Sequence, residues 1–363
     1  MNVARTTPLL AVRDLAVSFA QRSGEANGVH ARTRAVTNVS MTIYPSQTLA
    51  VVGESGCGKS VTALSLMHLL PRSSARIDRG TASYRTGNAQ EPIDLYSLSE
   101  REMRRIRGGQ IAMIFQEPMS SLNPVLSIGE QIIEAIHLHR RAGAREARAI
   151  AIDALDTVGM TNATGRLAAY PHQFSGGMRQ RVMIAMALAC RPRLLLADEP
   201  TTALDATIQR QILDLLRNLQ SSAGMAVMLV THDLGIVRDR ADVVCVMYAG
   251  RVVEYARTDD LFRTPRHPYT RALLACVPGL ETRSRRLTTI AEMAKNGDFL
   301  HMPRPTTQNS SEATTPWWPA DPSEPGPPSS LVELVPEHWV AVAGQGPVSG
   351  AYPDLAPRLP QSV

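Results

Sequence analysis

Apolar and polar positions alternate from Leu9 to Phe19 and again from Val36 to Tyr44, the period-two pattern of half-buried antiparallel strands. The polar, glycine-containing stretch 20–33 between them reads as a hairpin loop. A short apolar strand follows at Thr48–Val52, then one or two short strands within 81–96 and a charged helix at Ser99–Ile106. Ile111–Phe115 is a further apolar strand, and the two prolines of Glu117–Pro124 make that segment a loop. From Ile128 to about Val158 the apolar positions (Ile128, Ile132, Ile133, Ile136, then Ala151, Ala154, Leu155, Val158) take up helical spacing. A helix over Arg179–Cys190, a strand over Leu194–Glu199, a helix around Ile208–Leu219 and strands at Ala226–Val230, Val243–Tyr248 and Arg251–Glu254 complete the pattern. Strands alternating with helices predict an α/β fold with a mostly parallel sheet covered on both faces. Ligands in such sheets bind at the carboxyl ends of strands, where Gly53, Gln116, Asp198 and His232 fall.

The pattern changes beyond about Pro278. Residues 281–363 hold 13 of the 25 prolines and all three tryptophans (Trp317, Trp318, Trp339). Much of this segment is expected to be irregular, with the tryptophans offering apolar area for local docking. The chain therefore divides into a domain over 1–280 and a proline-rich extension over 281–363. The net charge of +5 carries no Lys/Arg block, and aromatics are 4 % of the residues, which argues against a nucleic-acid surface. Four cysteines without CxxC spacing fit a reducing compartment. The first residues lack the apolar core of a signal peptide, and the longest apolar run, Val182–Cys190, is half a membrane span. The expectation is a soluble or peripheral cytoplasmic protein.

Chemistry enters at Gly53-Glu54-Ser55-Gly56-Cys57-Gly58-Lys59-Ser60. Between a strand and an apolar helix this is a GxxxxGK[ST] phosphate loop. Its glycines let successive N–H groups face one phosphate, and the helix adds the positive end of its dipole. Lys59 is expected to reach the β- and γ-phosphates and the Ser60 hydroxyl to hold Mg2+. Leu194–Asp198 ends in a carboxylate placed for Mg2+, the Walker B arrangement, and Glu199 suits a general base or a positioner of water. Gln116 is placed to reach Mg2+ and water, and His232 to sense the γ-phosphate beside Glu199. Cys57 reads as a small side chain that fits the loop. Lys59 and the helix start would lower its thiol pKa, and maleimide inactivation with protection by ATP would follow.

Carrying these elements together, the stretch from about Leu9 to Leu280 resembles the nucleotide-binding subunits of ABC transporters. The telling motif is Ser175-Gly176-Gly177, the family's signature, which simple P-loop kinases and GTPases lack; an NKxD guanine motif is also absent. Ile111–Pro124, Tyr170–Arg181 and His267-Pro-Tyr-Thr270 look like the dipeptide/oligopeptide/nickel importer branch, as do Phe174 and Met178 in place of the ends of LSGGQ.

The resemblance implies an ABC-type P-loop NTPase with a RecA-like core, an antiparallel β subdomain and a helical signature subdomain at about 117–190. It implies hydrolysis of ATP with Mg2+, coupled to import of dipeptides or oligopeptides; nickel or another small solute of the branch is the alternative. A non-transport ABC ATPase is a further rival, disfavoured by the single short cassette. Ser175–Gly177 would close over the ATP of a second ATPase subunit, identical or a paralogue, with Asp205 at the seam and Phe19 stacking on adenine. Two membrane permeases and a periplasmic or lipid-anchored solute-binding protein would complete the assembly, with this chain peripheral on the cytoplasmic face of the plasma (inner) membrane. Many members of the branch carry a cysteine cluster for an iron–sulfur centre in the extension. Here no cysteine follows Cys276, although Pro336–Ala341 resembles the end of that region, so no cluster is expected.

Overall fold

The alternating segments at the start of the chain pair with one another. In this computed structural model, which describes residues 7–21, 32–86, 91–116, 121–202, 204–277, 317, 329–343 and 352–357, β1 (Leu10–Ala20) runs antiparallel to β2 (Arg32–Ile43), Leu10 facing Ile43. The wholly buried β3 (Thr48–Val52) leads to α1 (Lys59–Leu66). β4 (Ala75–Tyr84) and β5 (Ile93–Asp94) complete a four-stranded sheet in the order β2-β1-β4-β5. β4 begins well before the expected residue 81. Its first half is charged and largely exposed, so backbone pairing with β1 and not apolar alternation defines it.

Residues Ser97–Val230 form a second compact unit, and Met1–Tyr96 with Thr231–Val363 the first. In the second unit α2 (Glu100–Ile106) starts at a Ser99/Glu102 capping box and is followed by β6 (Ile111–Ile114). The helical stretch expected over 128–158 is two helices, α3 (Ile128–His139) and α4 (Ala144–Thr157). Arg140 takes extended backbone and Gly143 caps the second helix, which ends the shared period. α5 (Ala163–Arg166) and α6 (Gly176–Leu188) come next; α6 starts at the signature glycines instead of at Arg179, because Ser175 caps it. β7 (Leu194–Asp198), α7 (Ala206–Ala223) and β8 (Ala226–Thr231) follow. β6, β7 and β8 are parallel, with Ile111 beside Leu194 and Leu194 beside Ala226. The loop expected from Glu117 lies partly outside the described residues, which resume at Ser121.

The first unit resumes with α8 (Leu234–Val237), β9 (Val243–Tyr248), β10 (Arg251–Arg257), α9 (Thr258–Arg263) and α10 (Pro268–Ala275). β9 is parallel to β3, and β10 antiparallel to β9. The extension then supplies two strands absent from the sequence reading, β11 (Ser329–Val335) and β12 (His338–Ala343), with β12 pairing antiparallel to β10. Trp317 packs into the apolar cluster of β3, β9, β10 and α10, beside Val246, Tyr248, Val253 and Tyr269. Trp339 is buried as well and meets the Tyr255 ring edge-on, while Trp318 lies outside the described residues. Among the described residues no helix is long and apolar enough to cross a membrane.

A buried polar node joins the added strands to the rest of this unit. The Glu254 carboxylate, on β10, accepts from His338 Nε2 (2.6 Å), from the Arg266 N–H (2.7 Å) and from the His267 N–H (2.9 Å). Burial opposes its ionisation, yet these bonds, His338's above all, hold its carboxyl below the ordinary range. His267 Nδ1 accepts the Tyr269 N–H, so its proton is on Nε2 and goes to the Trp317 carbonyl at 2.9 Å. Complete burial pushes His267 down to about 4, against the pull of Glu254. Arg257 on the same strand pairs with Glu337 through two bonds of 2.6 and 2.8 Å.

A histidine whose folded pKa lies below its unfolded one adds stability above pH 6.5 and loses it as pH falls toward 4. Urea unfolding at pH 7 and 4.5 is therefore expected to show a His267-dependent loss on the order of 2–3 kcal/mol. Replacing His267→Asn, which keeps a capping acceptor, removes that part of the loss; an identical pH dependence in the variant would refute it.

Candidate functional site

β3 ends beside β9, with Val52 opposite Val246, and the chain turns at once into the phosphate loop. Gly53 has φ +153° and sits so close to β9 that a Cβ there would lie 2.1 Å from the Met247 carbonyl oxygen. Gly58, with φ +99°, caps α1, and a Cβ there would lie 2.7 Å from the Ala35 carbonyl oxygen. No other residue type fits either place. Glu54, Ser55 and Gly56 are exposed at the loop's crest, and Ser60 is half-buried in the first turn of α1. Lys59 is buried, and its ammonium donates to the Gly53 and Glu54 carbonyls at 2.8 Å each. A cation folded back over a loop of amides is a site for an anion with several oxygens, as a polyphosphate is.

Sequence reasoning missed a further neighbour of this loop. The Glu54 N–H donates to the Tyr269 hydroxyl at 3.0 Å. Tyr269 was visible only as part of the His267–Thr270 motif, and nothing in the sequence joins it to a loop 215 positions away. Its ring is fully buried and tilts against Tyr248 at 4.3 Å between centroids. Cys57 is the small side chain fitted into the loop that the sequence suggested, and the lowered thiol pKa weighed beside that reading is not found. Its side chain is buried, and desolvation pushes the thiol up, outweighing Lys59 at 3.9 Å from the sulfur.

The second unit carries the carboxylates. Asp198 is the last, buried residue of β7, beside Val230 of β8. Glu199 follows in the left-handed region, φ +46°, with its N–H donating to the Val230 carbonyl at 2.9 Å. A non-glycine residue held there stores on the order of 1 kcal/mol of strain and turns its side chain out of the strand line. The Glu199 carboxylate accepts from Gln116 Nε2 at 3.0 Å and from the Thr202 hydroxyl at 2.9 Å. Gln116 and Glu199 thus meet, as their strand-end positions suggested, and Thr202 is an addition that the sequence reading did not make.

Ser175 caps α6 and, with Gly176, is exposed. A Cβ on Gly177 would lie 2.9 Å from the Ile208 side chain, so the signature packs against the first turn of α7. Asp205 caps that helix, accepting from the Thr207 and Ile208 N–H groups at 3.0 Å each. The signature and Asp205 therefore stand at two adjacent helix N-termini. His232 is exposed just past the end of β8, in the first unit, and Phe19 is half-buried near the end of β1 opposite Ala75.

A phosphate loop, a buried strand-end aspartate followed by glutamate, and a serine–glycine–glycine helix start define an ATP-hydrolysing cassette. Residues 36–202 match the model of the ABC transporter family, and residues 253–303 match that of the oligopeptide/dipeptide transporter C-terminal region. The dipeptide transport ATP-binding protein of Bacillus subtilis is 48 % identical over 282 residues, 78 % of this chain and 80 % of that protein. The glutathione import ATP-binding protein of Salmonella choleraesuis is 56 % identical over 246 residues, 68 % of this chain but 39 % of that longer protein. Among solved structures, a dimeric ATP-binding cassette in a post-hydrolysis state with ADP and Pi superposes with TM-score 0.58 at 27 % identity, over 69 % of this chain and 98 % of that one. The chain belongs to the ABC transporter family, and it is an ATPase.

Burial of Cys57 sets an expectation for its chemistry. At pH 7 a maleimide labels it at least about tenfold more slowly in the folded protein than in urea, because little thiolate forms and little of it is reachable. Fast labelling of the folded chain would contradict the environment described.

Proposed function

We propose that this chain is the energy-coupling ATPase of an importer of dipeptides or oligopeptides. Two features support the peptide branch: the match at 253–303 to the peptide transporter C-terminal region, and relatives named for dipeptide and glutathione transport. Nickel or another small solute of that branch is the alternative within the same role.

The observation that carries the hydrolytic reading is the Glu199 carboxylate, aimed off its strand end by a left-handed backbone and held by Gln116 and Thr202. An ionised carboxylate is a hydrogen-bond acceptor with several lone-pair sites and can take a bond from a water donor. In this reading that donor is the attacking water, which Glu199 orients and deprotonates as it closes on the γ-phosphate. Lys59 leaves the loop carbonyls for the β- and γ-oxygens, and the amides of 53–60 neutralise the rest of the charge. His232 serves the γ-phosphate, and Phe19 stacks on adenine. Ser60, Asp198 and Gln116 would hold Mg2+. They offer hydroxyl, carboxylate and amide oxygens, the hard donors that this ion prefers, and Gln116 turns its NH2 to Glu199, leaving its oxygen for a cation. When bound, the ion draws charge from the phosphate oxygens.

Ser175–Gly177 and Asp205 are assigned to the ATP of a second ATPase subunit, identical or paralogous. The exposure of Ser175, Gly176 and Asp205 at two helix starts supports a role toward a partner. Two membrane permeases and a solute-binding protein complete the proposed assembly, with this chain on the cytoplasmic face of the membrane. No iron–sulfur centre is assigned, since the extension has no cysteine to hold one. In domain terms, 1–280 is assigned as the cassette, with its helical part at about 117–190, and 281–363 as the extension.

Glu199→Gln tests the hydrolytic reading. The amide keeps the shape but cannot take a proton, so turnover falls by roughly 10^2–10^4 while MgATP still binds. Turnover at the wild-type rate would remove Glu199 from the role.

A further inference from the structure

The phosphate loop is held from a side that its own motif does not supply. The Gly53–Glu54 peptide is gripped in two ways: Lys59 donates to its Gly53 carbonyl, as it does to the Glu54 carbonyl of the next peptide, and Tyr269 accepts its N–H. A bound nucleotide competes with those carbonyls for Lys59. Once the ammonium turns to phosphate, the Tyr269 hydroxyl is what still holds the N–H side of that peptide. The Glu54 carbonyl, in the next peptide, keeps the Cys57 N–H, which donates to it at 3.3 Å.

The hydroxyl is itself placed by the C-terminal segment. Tyr269 lies in the first turn of α10, and its own N–H is capped by His267 Nδ1. His267 is oriented by the Trp317 carbonyl on its other nitrogen and by Glu254 on its backbone N–H. Glu254 in turn takes His338 of β12. Trp317 donates its N–H to the Ala341 carbonyl at 3.0 Å, which ties residue 317 to the same strand. Each link is buried, and each is a hydrogen bond of 3.2 Å or less. In such surroundings a neighbour's rotamer is not free to change alone.

We propose that Tyr269 is a positioning residue for the phosphate loop, and that the C-terminal hairpin sets it through the His338–Glu254–His267 chain. The extension is then part of the machinery that prepares the loop for ATP. This rests on the reading of Gly53–Ser60 as the ATP phosphate site.

Tyr269→Phe removes the hydroxyl and keeps the ring against Tyr248. The full-length protein is titrated with MgATP by calorimetry and assayed for kcat and KM, with unfolding followed in the absence of nucleotide. The expected result is a Kd and KM for MgATP raised roughly fivefold, the scale of one hydrogen bond, with kcat within twofold and nucleotide-free unfolding that stays cooperative. His338→Leu is expected to raise the same Kd, and to add nothing further in the Tyr269→Phe background, because its route to the loop is gone. A Tyr269→Phe protein with parental Kd and KM overturns the positioning role. Effects of the two substitutions that multiply overturn the hairpin's part in it. Failure of the parent protein to bind MgATP, or unchanged binding in Lys59→Ala, would instead overturn the phosphate-site reading beneath.

Discussion

The approach of Gly53 to the Met247 carbonyl is the constraint on which the nucleotide half of this protein rests. β3 and β9 are parallel neighbours, so the chain leaving β3 must turn immediately beside the end of β9. A space that cannot hold a Cβ, combined with a left-handed φ, leaves glycine as the one residue for the turn. The consequences follow in order. The loop folds back toward α1, Lys59 reaches its carbonyls, and Gly58 starts the helix that points its amides at the same place. Without that turn none of the later residues would face the phosphate site.

The strand that supplies this constraint also carries the C-terminal segment into the same unit. β9 pairs with β10, β10 with β12 and β12 with β11. Residues more than 300 positions apart consequently touch: the Thr42 hydroxyl donates to the Pro353 carbonyl at 2.9 Å, and the Gln47 amide to the Leu355 carbonyl at 2.8 Å. The Arg13 guanidinium lies over the Tyr352 ring, whose hydroxyl donates to Asp14. An extension fixed at both of its described ends to the nucleotide-binding unit is a structural member of that unit. The Glu254 node explains how it tolerates a buried carboxylate: each bond to it comes from a donor, two of them backbone N–H groups.

What could be read from the sequence divides along the range of the interactions. The strands at Leu10 and Val36 and the phosphate loop were legible because period two, glycine spacing and a following apolar helix are local features. So was the helix start at Ser99, where the structure adds a capping box with Glu102. Gln116 and Glu199 were each legible as strand ends, but their hydrogen bond joins positions 83 apart and needed the parallel order of β6 and β7. Tyr269 was legible as a motif and not as a neighbour of Glu54. β11 and β12 were hidden by the prolines around them, and each is short enough for composition to outweigh alternation. The lowered thiol pKa weighed for Cys57 failed for a related reason. Its sequence neighbours supply the charge that lowers a thiol pKa, while the burial that raises it comes from the fold. The break between α3 and α4 did have a local mark, Gly143, which the continuing apolar spacing overrode.

The central claim is that the backbone turn at Gly53, more than any side chain, makes the nucleotide site. Thermal unfolding of Gly53→Ala with and without MgATP tests it most directly. A ligand that binds the folded state raises its melting temperature, so the parent protein is expected to melt higher in MgATP. The variant should unfold cooperatively at the same temperature with and without the nucleotide, since its added Cβ forces the loop off the Met247 carbonyl. A rise in melting temperature equal to the parent's would contradict the claim.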